Sequence, residues 1–256
     1  MIELRGVTKA FGAKRAVDGL DLRVKAGELY AFLGPNGAGK TTTIKMVCGL
    51  LAPTAGTVRV GGYPASSPEA RRLVAYVPDQ PYLYEKLTGR EFLRFVVEMY
   101  GLDDRLASRR IAELVDTFEM GDYVDDLCEN YSHGMKQRVV FASALVHDPK
   151  VLIVDEPLVG LDPRSARIVK DLFVSRARDG VAVLMSTHLL SIAEDLADTI
   201  GIIDRGKMLA EGTLAEIREH AQMHGPLEDL FLKLTGGDRP LSSAKSVLVE
   251  PDGDFR

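Results

Sequence analysis

The chemistry of this chain is concentrated first in Gly34-Pro35-Asn36-Gly37-Ala38-Gly39-Lys40-Thr41. Glycines at this spacing let backbone N–H groups converge on an oxyanion that side chains would hold away. A helix start placed just after them adds unpaired N–H groups and a partial positive charge. Lys40 can then reach the β and γ phosphates of a nucleoside triphosphate, and the Thr41 hydroxyl can ligate Mg²⁺. A second concentration is Val151-Leu152-Ile153-Val154-Asp155-Glu156, four apolar residues running into two acids. A buried strand must end before charge can appear, so both acids fall at its carboxyl tip, where open α/β sheets bind ligands. Asp155 can hold Mg²⁺ directly or through water, and Glu156 can polarise a water aimed at a γ-phosphate. A third is Tyr131-Ser132-His133-Gly134, where Ser132 reads as a helix N-cap and Gly134 leaves backbone bare, so the helix start could hold an anion. Alone, these segments also read as a Gly-rich turn, an acidic loop after a strand, and a simple helix cap.

The elements that must position these residues are legible in the apolar spacing. Leu29–Leu33 is a buried strand leading into the glycine loop, and 42–50 reads as the helix leaving it. Before them, Ile2, Leu4 and Val7 form one strand face and Leu20, Leu22 and Val24 another, with Gly27-Glu28 as a turn. Residues 56–62 and 75–77 read as further short strands, the second stopped by Pro78; a small antiparallel sheet beside the nucleotide is the simplest arrangement. From 88 to 130 the pattern is helical throughout. Phe92, Phe95, Val96 and Met99 recur at helical spacing, as do Ile111, Leu114, Val115 and Phe118. The α/β alternation then resumes, with helices over 133–147, 163–179 and 189–197 and strands over 151–154, 181–185 and 200–203, which predicts a parallel sheet with crossover helices. Asp204–Lys207 reads as a turn into a strand over 208–211, and Thr213–Glu216 as a capping box for a helix to His220. The expected organisation is a core over 1–87, an all-helical unit over 88–130, the completed core over 131–220, and a C-terminal helix and loose tail over 221–256.

Bulk properties exclude several classes. Charged residues are 27% and hydrophobic ones 46%, ordinary for a globular chain of 256 residues. No apolar run reaches the roughly 18 residues that a membrane span needs. Met1–Arg5 does not read as a signal peptide. A net charge of −5 argues against a nucleic-acid partner. Cys48 and Cys128 are too few and too far apart for a disulfide framework or metal site, and read as small buried hydrophobes.

In their order and spacing these segments resemble the ATP-binding subunits of ABC transporters, over nearly the whole chain to about residue 235. Residues 34–41 match the family's Walker A motif, with Thr42 extending it; Tyr131–Met135 resembles its LSGGQ signature; Val151–Glu156 matches Walker B with its catalytic glutamate. Gly160-Leu161-Asp162-Pro163 looks like the D-loop, Ser186-Thr187-His188 like the switch histidine, and Tyr76–Pro81 like the Q-loop. Phe11 sits where the family places an aromatic that stacks on adenine. The resemblance implies an α/β fold: a P-loop NTPase core of RecA-like parallel sheet, an N-terminal antiparallel β subdomain and an inserted helical subdomain. It implies ATP and Mg²⁺ as cofactors, with Gly34, Asn36, Gly37, Ala38, Gly39, Lys40, Thr41 and Thr42 around the nucleotide. Thr41, Asp155 and either Asp79 or Gln80 would serve the metal, and Glu156, Lys40 and His188 catalysis. Two copies, identical or different, would pair head to tail, so that Ser132 and Gly134 touch the ATP bound by the partner. The chain would then work at the cytoplasmic face of the cell membrane, powering a separate integral membrane permease, with export favoured and no nucleic acid expected. An ATPase acting on ribosomes or DNA, or an ATP sensor without turnover, are the alternatives. Three departures stand out: Tyr131, His133 and Met135 replace Leu, Gly and Gln; strict register puts Asp79 at the Q-loop glutamine; and Phe11 replaces the commoner Tyr.

Overall fold

The computed structural model describes residues 1–158, 160–222 and 225–236. It opens on a long hairpin, β1 (Ile2–Phe11) and β2 (Lys14–Val24), which joins β4 (Ala55–Val60) and β5 (Tyr63–Pro64) in a four-stranded antiparallel sheet ordered β2-β1-β4-β5, with β3 (Leu29–Leu33) and α1 (Lys40–Val47) intervening in the chain. Ile2, Leu4 and Val7 all face the core although 4 and 7 are an odd step apart, because the ladder slips between Leu4 and Val7 and Gly6 takes φ +55°. After β5 come α2 (Pro68–Leu73), β6 (Val74–Val77), α3 (Gly89–Tyr100) and α4 (Asp104–Thr117). Then follow α5 (His133–Leu145), β7 (Val151–Asp155), α6 (Pro163–Arg178), β8 (Ala182–Thr187), α7 (Leu190–Leu196), β9 (Thr199–Asp204), β10 (Lys207–Gly212), α8 (Leu214–His220) and α9 (Leu227–Leu234).

The main sheet has six strands in the order β10-β9-β3-β8-β7-β6, parallel except for β10. Its central strands are buried on both faces, which is why they read as continuous apolar runs. Leu29, Ala31, Leu33, Leu152, Val154, Val183 and Met185 enter one core, shared with the long helices. Tyr30, Phe32, Val151, Ile153, Ala182 and Leu184 enter the other, shared with α1 and the antiparallel sheet. The sheet is thus the middle layer, and the tips of β3, β7 and β8 come out side by side between the two outer layers.

The sequence reading needs correction in three places. The helix after the glycine loop starts at Lys40 and ends at Val47, not 42–50; Gly49 then turns the chain at φ +67°, and its missing Cβ makes room for the backbone of Ala65 and Ser66. In α3 the buried face is Phe92, Leu93 and Val97, while Phe95 and Met99 are exposed. Both sets have helical spacing, and only the packing against α5 selects between them. Helix α2 was not anticipated; Ser67 capping the Ala70 N–H, with Pro68 at the first turn, is the signal that marks it. The expectation of a loose tail lies outside the described residues. Cys48 and Cys128 are both free and buried.

The two ends of α5 are anchored to the helical layer. At its far end the His147 ring stacks on Tyr100 of α3, centroids 3.9 Å apart and nearly coplanar at 7°. Burial pushes this imidazole down to about 4. An unfolded chain therefore takes up this proton first as pH falls. Stability is lost between about 6.5 and 4, at up to about 1.4 kcal/mol per pH unit before solvent screening. His147→Phe keeps the stack and removes the proton. Thermal melts from pH 7 to 4.5 should fall less steeply for that variant than for the parent.

Candidate functional site

The loop between β3 and α1 is shaped by contacts that only glycine allows. Gly39 is the N-cap of α1 at φ +113°, and a Cβ there would stand 2.5 Å from the Ala16 carbonyl oxygen. At Gly34 a Cβ would strike the Ile203 carbonyl oxygen at the tip of β9. The Gly206 N–H donates to the Ala38 carbonyl at 2.8 Å, and the Asp18 N–H to Gly206 at 2.9 Å, so the β9–β10 turn staples the loop to β2. Asn36 and Gly37 are exposed at the crest, whereas Ala38 is buried beneath it. Lys40 crosses under the crest and its ammonium donates to the Gly34 carbonyl at 2.6 Å. Burial pulls that ammonium below the usual lysine range, and the carboxylates of Glu156 and Asp155 push back.

One residue further, the Thr41 hydroxyl donates to Asp155 Oδ2 at 3.1 Å. The Ser186 hydroxyl donates to Asp155 Oδ1, so both carboxylate oxygens of this buried acid are engaged. Glu156 takes φ +50°, a left-handed conformation unusual for a non-glycine residue, and its N–H donates to the Ser186 carbonyl at 3.0 Å. The bend turns its carboxylate away from the strand and onto His188. The His188 backbone N–H lies 3.2 Å from Glu156 Oε2 and its ring Nδ1 2.8 Å from the same oxygen. An anionic Glu156 requires the proton on Nδ1 and leaves Nε2 free. Lys40, Thr41, Asp155, Glu156 and His188 therefore meet at the adjacent tips of β3, β7 and β8. Thr42 lies one residue deeper in α1 and is partly buried.

Asp79 and Gln80 are both exposed just past β6, whose Val77 pairs with Val154 beside Asp155. Phe11 ends β1 and is half exposed, with the Lys9 ammonium 5.2 Å from the centre of its ring. It pairs with Lys14, two residues before the Ala16 that abuts Gly39, so the hairpin tip borders the loop.

Ser132 caps α5, accepting the Met135 N–H at 3.3 Å. The first turn of α5 faces the start of α6: a Cβ at Gly134 would lie 3.7 Å from Asp162 Oδ2. His133 packs against Gly160: a Cβ there would lie 3.3 Å from its ring. Asp162 caps α6 and accepts the Ser165 hydroxyl at 2.5 Å, and hydrogen bonds from Ser165 hold it below the usual carboxylate range. Arg138 of α5 reaches the same hydroxyl at 2.8 Å and the Phe118 carbonyl at 3.1 Å. Sequence reading missed Arg138, Ser165 and the hydrogen bond of Ser186. Only the Ser165 position three residues after an N-cap Asp hinted at a role.

Among the described residues no cluster of three or more His, Cys, Asp or Glu could hold a metal alone. The Thr41 hydroxyl and Asp155 carboxylate are hard oxygen donors that suit Mg²⁺ shared with nucleotide phosphates.

The family described as ABC transporter matches residues 17–159, more than half of the chain. This chain belongs to that family. The daunorubicin/doxorubicin resistance ATP-binding protein DrrA of Streptomyces peucetius is 44% identical over 85% of this chain and 66% of its own. The linearmycin resistance ATP-binding protein LnrL of Bacillus subtilis is 38% identical over 85% of this chain and 70% of its own. A solved ATP-binding subunit of an ABC transporter superposes with TM-score 0.87 at 35% identity, over 92% of this chain and 99% of that one. A dimeric post-hydrolysis ATP-binding cassette holding ADP and phosphate superposes with TM-score 0.76 at 26% identity, over 84% and 99%. The protein is an ATP-binding ABC subunit with a P-loop NTPase fold and an ATPase domain.

The glycine geometry predicts that Gly39→Ala cannot keep this loop. Strained φ and the clash with Ala16 should together cost roughly 1–3 kcal/mol of stability. The same variant should lose binding of a fluorescent ATP analogue, measured by titration beside a chemical-denaturation curve.

Proposed function

We propose that the chain is the ATP-hydrolysing motor of an exporter whose membrane-spanning permease is a separate polypeptide. Among the described residues no helix is long and apolar enough to cross a membrane. Relatives named for antibiotic resistance, and one named for Nod factor export in Burkholderia orbicola, support the outward direction. On this reading the chain sits at the cytoplasmic face of the membrane. A cleft of about 290 Å³ lined by Pro81–Glu85, Cys128 and Lys136, with Tyr82 and Tyr84 exposed beside Phe95, is the surface offered to the permease.

The observation that carries the reading is the Glu156–His188 pair set against Lys40, Thr41 and Asp155. Glu156 is the general base: it takes the proton from a water as that water's oxygen bonds to the γ-phosphorus and the bond to the bridging β–γ oxygen breaks, releasing ADP. His188 keeps the carboxylate in place through Nδ1. Lys40 exchanges the Gly34 carbonyl for phosphate oxygens. Mg²⁺, held by Thr41 and Asp155 with Asp79 or Gln80 nearby, would neutralise phosphate charge. Phe11, half exposed at the hairpin tip, stacks on adenine.

Ser132 and Gly134 point to a second subunit. No hydrogen bond links them to Lys40, Asp155 or Glu156 among the described residues. Gly134 lies in the first turn of α5, and a Cβ there would meet only ordinary contacts, the nearest at 3.7 Å. The chain's own packing does not need that glycine; a phosphate approaching from a partner would. A head-to-tail pair would supply it, and two solved cassettes that this fold superposes on are dimeric.

Three outcomes check this. Glu156→Gln should lower Mg²⁺-dependent ATP hydrolysis by at least about 100-fold and give an ATP-stabilised dimer on size-exclusion chromatography. Hydrolysis at the parental rate would remove Glu156 as the base. Lys40→Ala should weaken ATP binding by about tenfold or more, the loss of charge-assisted hydrogen bonds. Ser132→Arg mixed with Lys40→Ala should recover hydrolysis that neither has alone, because one composite site stays intact.

A further inference from the structure

The residue before Ser132 is a tyrosine whose hydroxyl is occupied in every direction. Tyr131 is buried, at 6% exposure. Its hydroxyl accepts the Gly89 N–H at 3.0 Å and faces the carbonyls of Tyr123 at 2.9 Å and Asp126 at 3.1 Å. Gly89 is the first residue of α3, so its N–H has no acceptor within the helix. Thr88 caps the Glu91 N–H and leaves the Gly89 N–H to Tyr131. Gly89 must be glycine for this, since a Cβ would stand 2.7 Å from the phenolic oxygen. One atom thus gathers three chain segments: the start of α3, the loop after α4, and the residue leading into α5.

The neighbouring backbone carries the same connection. The Cys128 N–H donates to the Leu87 carbonyl at 2.9 Å, the Glu129 N–H to Glu85 at 3.1 Å, and the Arg90 N–H to Val124 at 2.9 Å. Arg90 also grips Asp125 with two hydrogen bonds, at 2.7 and 3.0 Å. Residues 85–90 follow directly on the exposed Tyr82 and Tyr84. Ring packing alone would be served by an apolar side chain of similar size; the hydroxyl is what the buried Gly89 N–H requires, while its one proton goes to the carbonyls it faces.

We propose that Tyr131 is a positioning residue: through its hydroxyl it sets where Ser132 and Gly134 stand relative to segment 85–90, and so how well this chain completes its partner's ATP site. The inference rests on the head-to-tail reading above. Tyr131 touches no nucleotide itself.

The test separates the chain's own ATP site from the one it completes. Tyr131→Phe is made in the Glu156→Gln chain, with Gly89→Ala as an independent disturbance of the same contact. Both should raise the dissociation constant of the ATP-bound dimer about tenfold, as expected for an orphaned buried N–H. The affinity of the unpaired chain for a fluorescent ATP analogue, and its melting curve in the helical transition, should report an intact fold and loop. With Glu156 restored, Tyr131→Phe mixed with Lys40→Ala should hydrolyse ATP faster than either alone. Unchanged dimerisation in Tyr131→Phe overturns the proposal. So does equal loss of ATP affinity in the unpaired chain, with no gain on mixing, when the Ser132→Arg mixture does gain. Failure of the Ser132→Arg mixture overturns the head-to-tail reading itself, and the proposal with it.

Discussion

The structure depends on one buried carboxylate. Asp155 is 4% exposed at the end of β7, between two hydroxyls: Thr41 from the phosphate loop's helix and Ser186 from β8. An uncompensated charge in that position would cost several kcal/mol. The two hydroxyls, with the Lys40 ammonium nearby, compensate it and at the same time lock the tips of β3, β7 and β8 into one register. Everything that needs to converge on a phosphate is hung from this point. Glu156 is the next residue, bent out of the strand at positive φ, and His188 lies two residues beyond Ser186. Strain at Glu156 is tolerated because its N–H is tied to Ser186 and its carboxylate to His188.

Helix α5 packs on the sheet and is held in addition by three side chains: Tyr131 before its start, Arg138 in its middle, His147 past its end. Tyr131 and His147 reach the two ends of α3, and Arg138 reaches α6 and the Phe118 carbonyl after α4. The start of α5 is thus fixed by side chains of the helical layer as well as by the core it shares with the sheet. Gly160 leaves room for the His133 ring, which a Cβ there would meet at 3.3 Å.

The departures from the family pattern acquire physical meaning in this setting. Tyr131 is not a loose substitute for an aliphatic residue; its hydroxyl satisfies an orphan N–H at the start of α3. His133 rests on Gly160 rather than on its own helix. Phe11 lies under the Lys9 ammonium, which is held by the Ala52 carbonyl at 2.8 Å.

By itself the sequence determined the order of most elements, α2 excepted, the buried parallel strands and the P-loop NTPase fold class. Those features are local: glycine spacing, strand-length apolar runs, caps such as Thr213 with Glu216. Asp155, Glu156 and His188 could be placed at strand tips because charge must follow a buried run. Only the tertiary structure decided which of two helical stripes in α3 is buried, since Phe92, Phe95, Val96 and Met99 fit the period as well as Phe92, Leu93 and Val97. It alone brought Ser186 to Asp155, Arg138 to Ser165 and the Tyr131 hydroxyl to Gly89. These partners are 31, 27 and 42 residues apart in the chain. A hydrogen bond at that separation leaves no periodic trace, because its geometry is set by packing between layers rather than by either segment's own conformation.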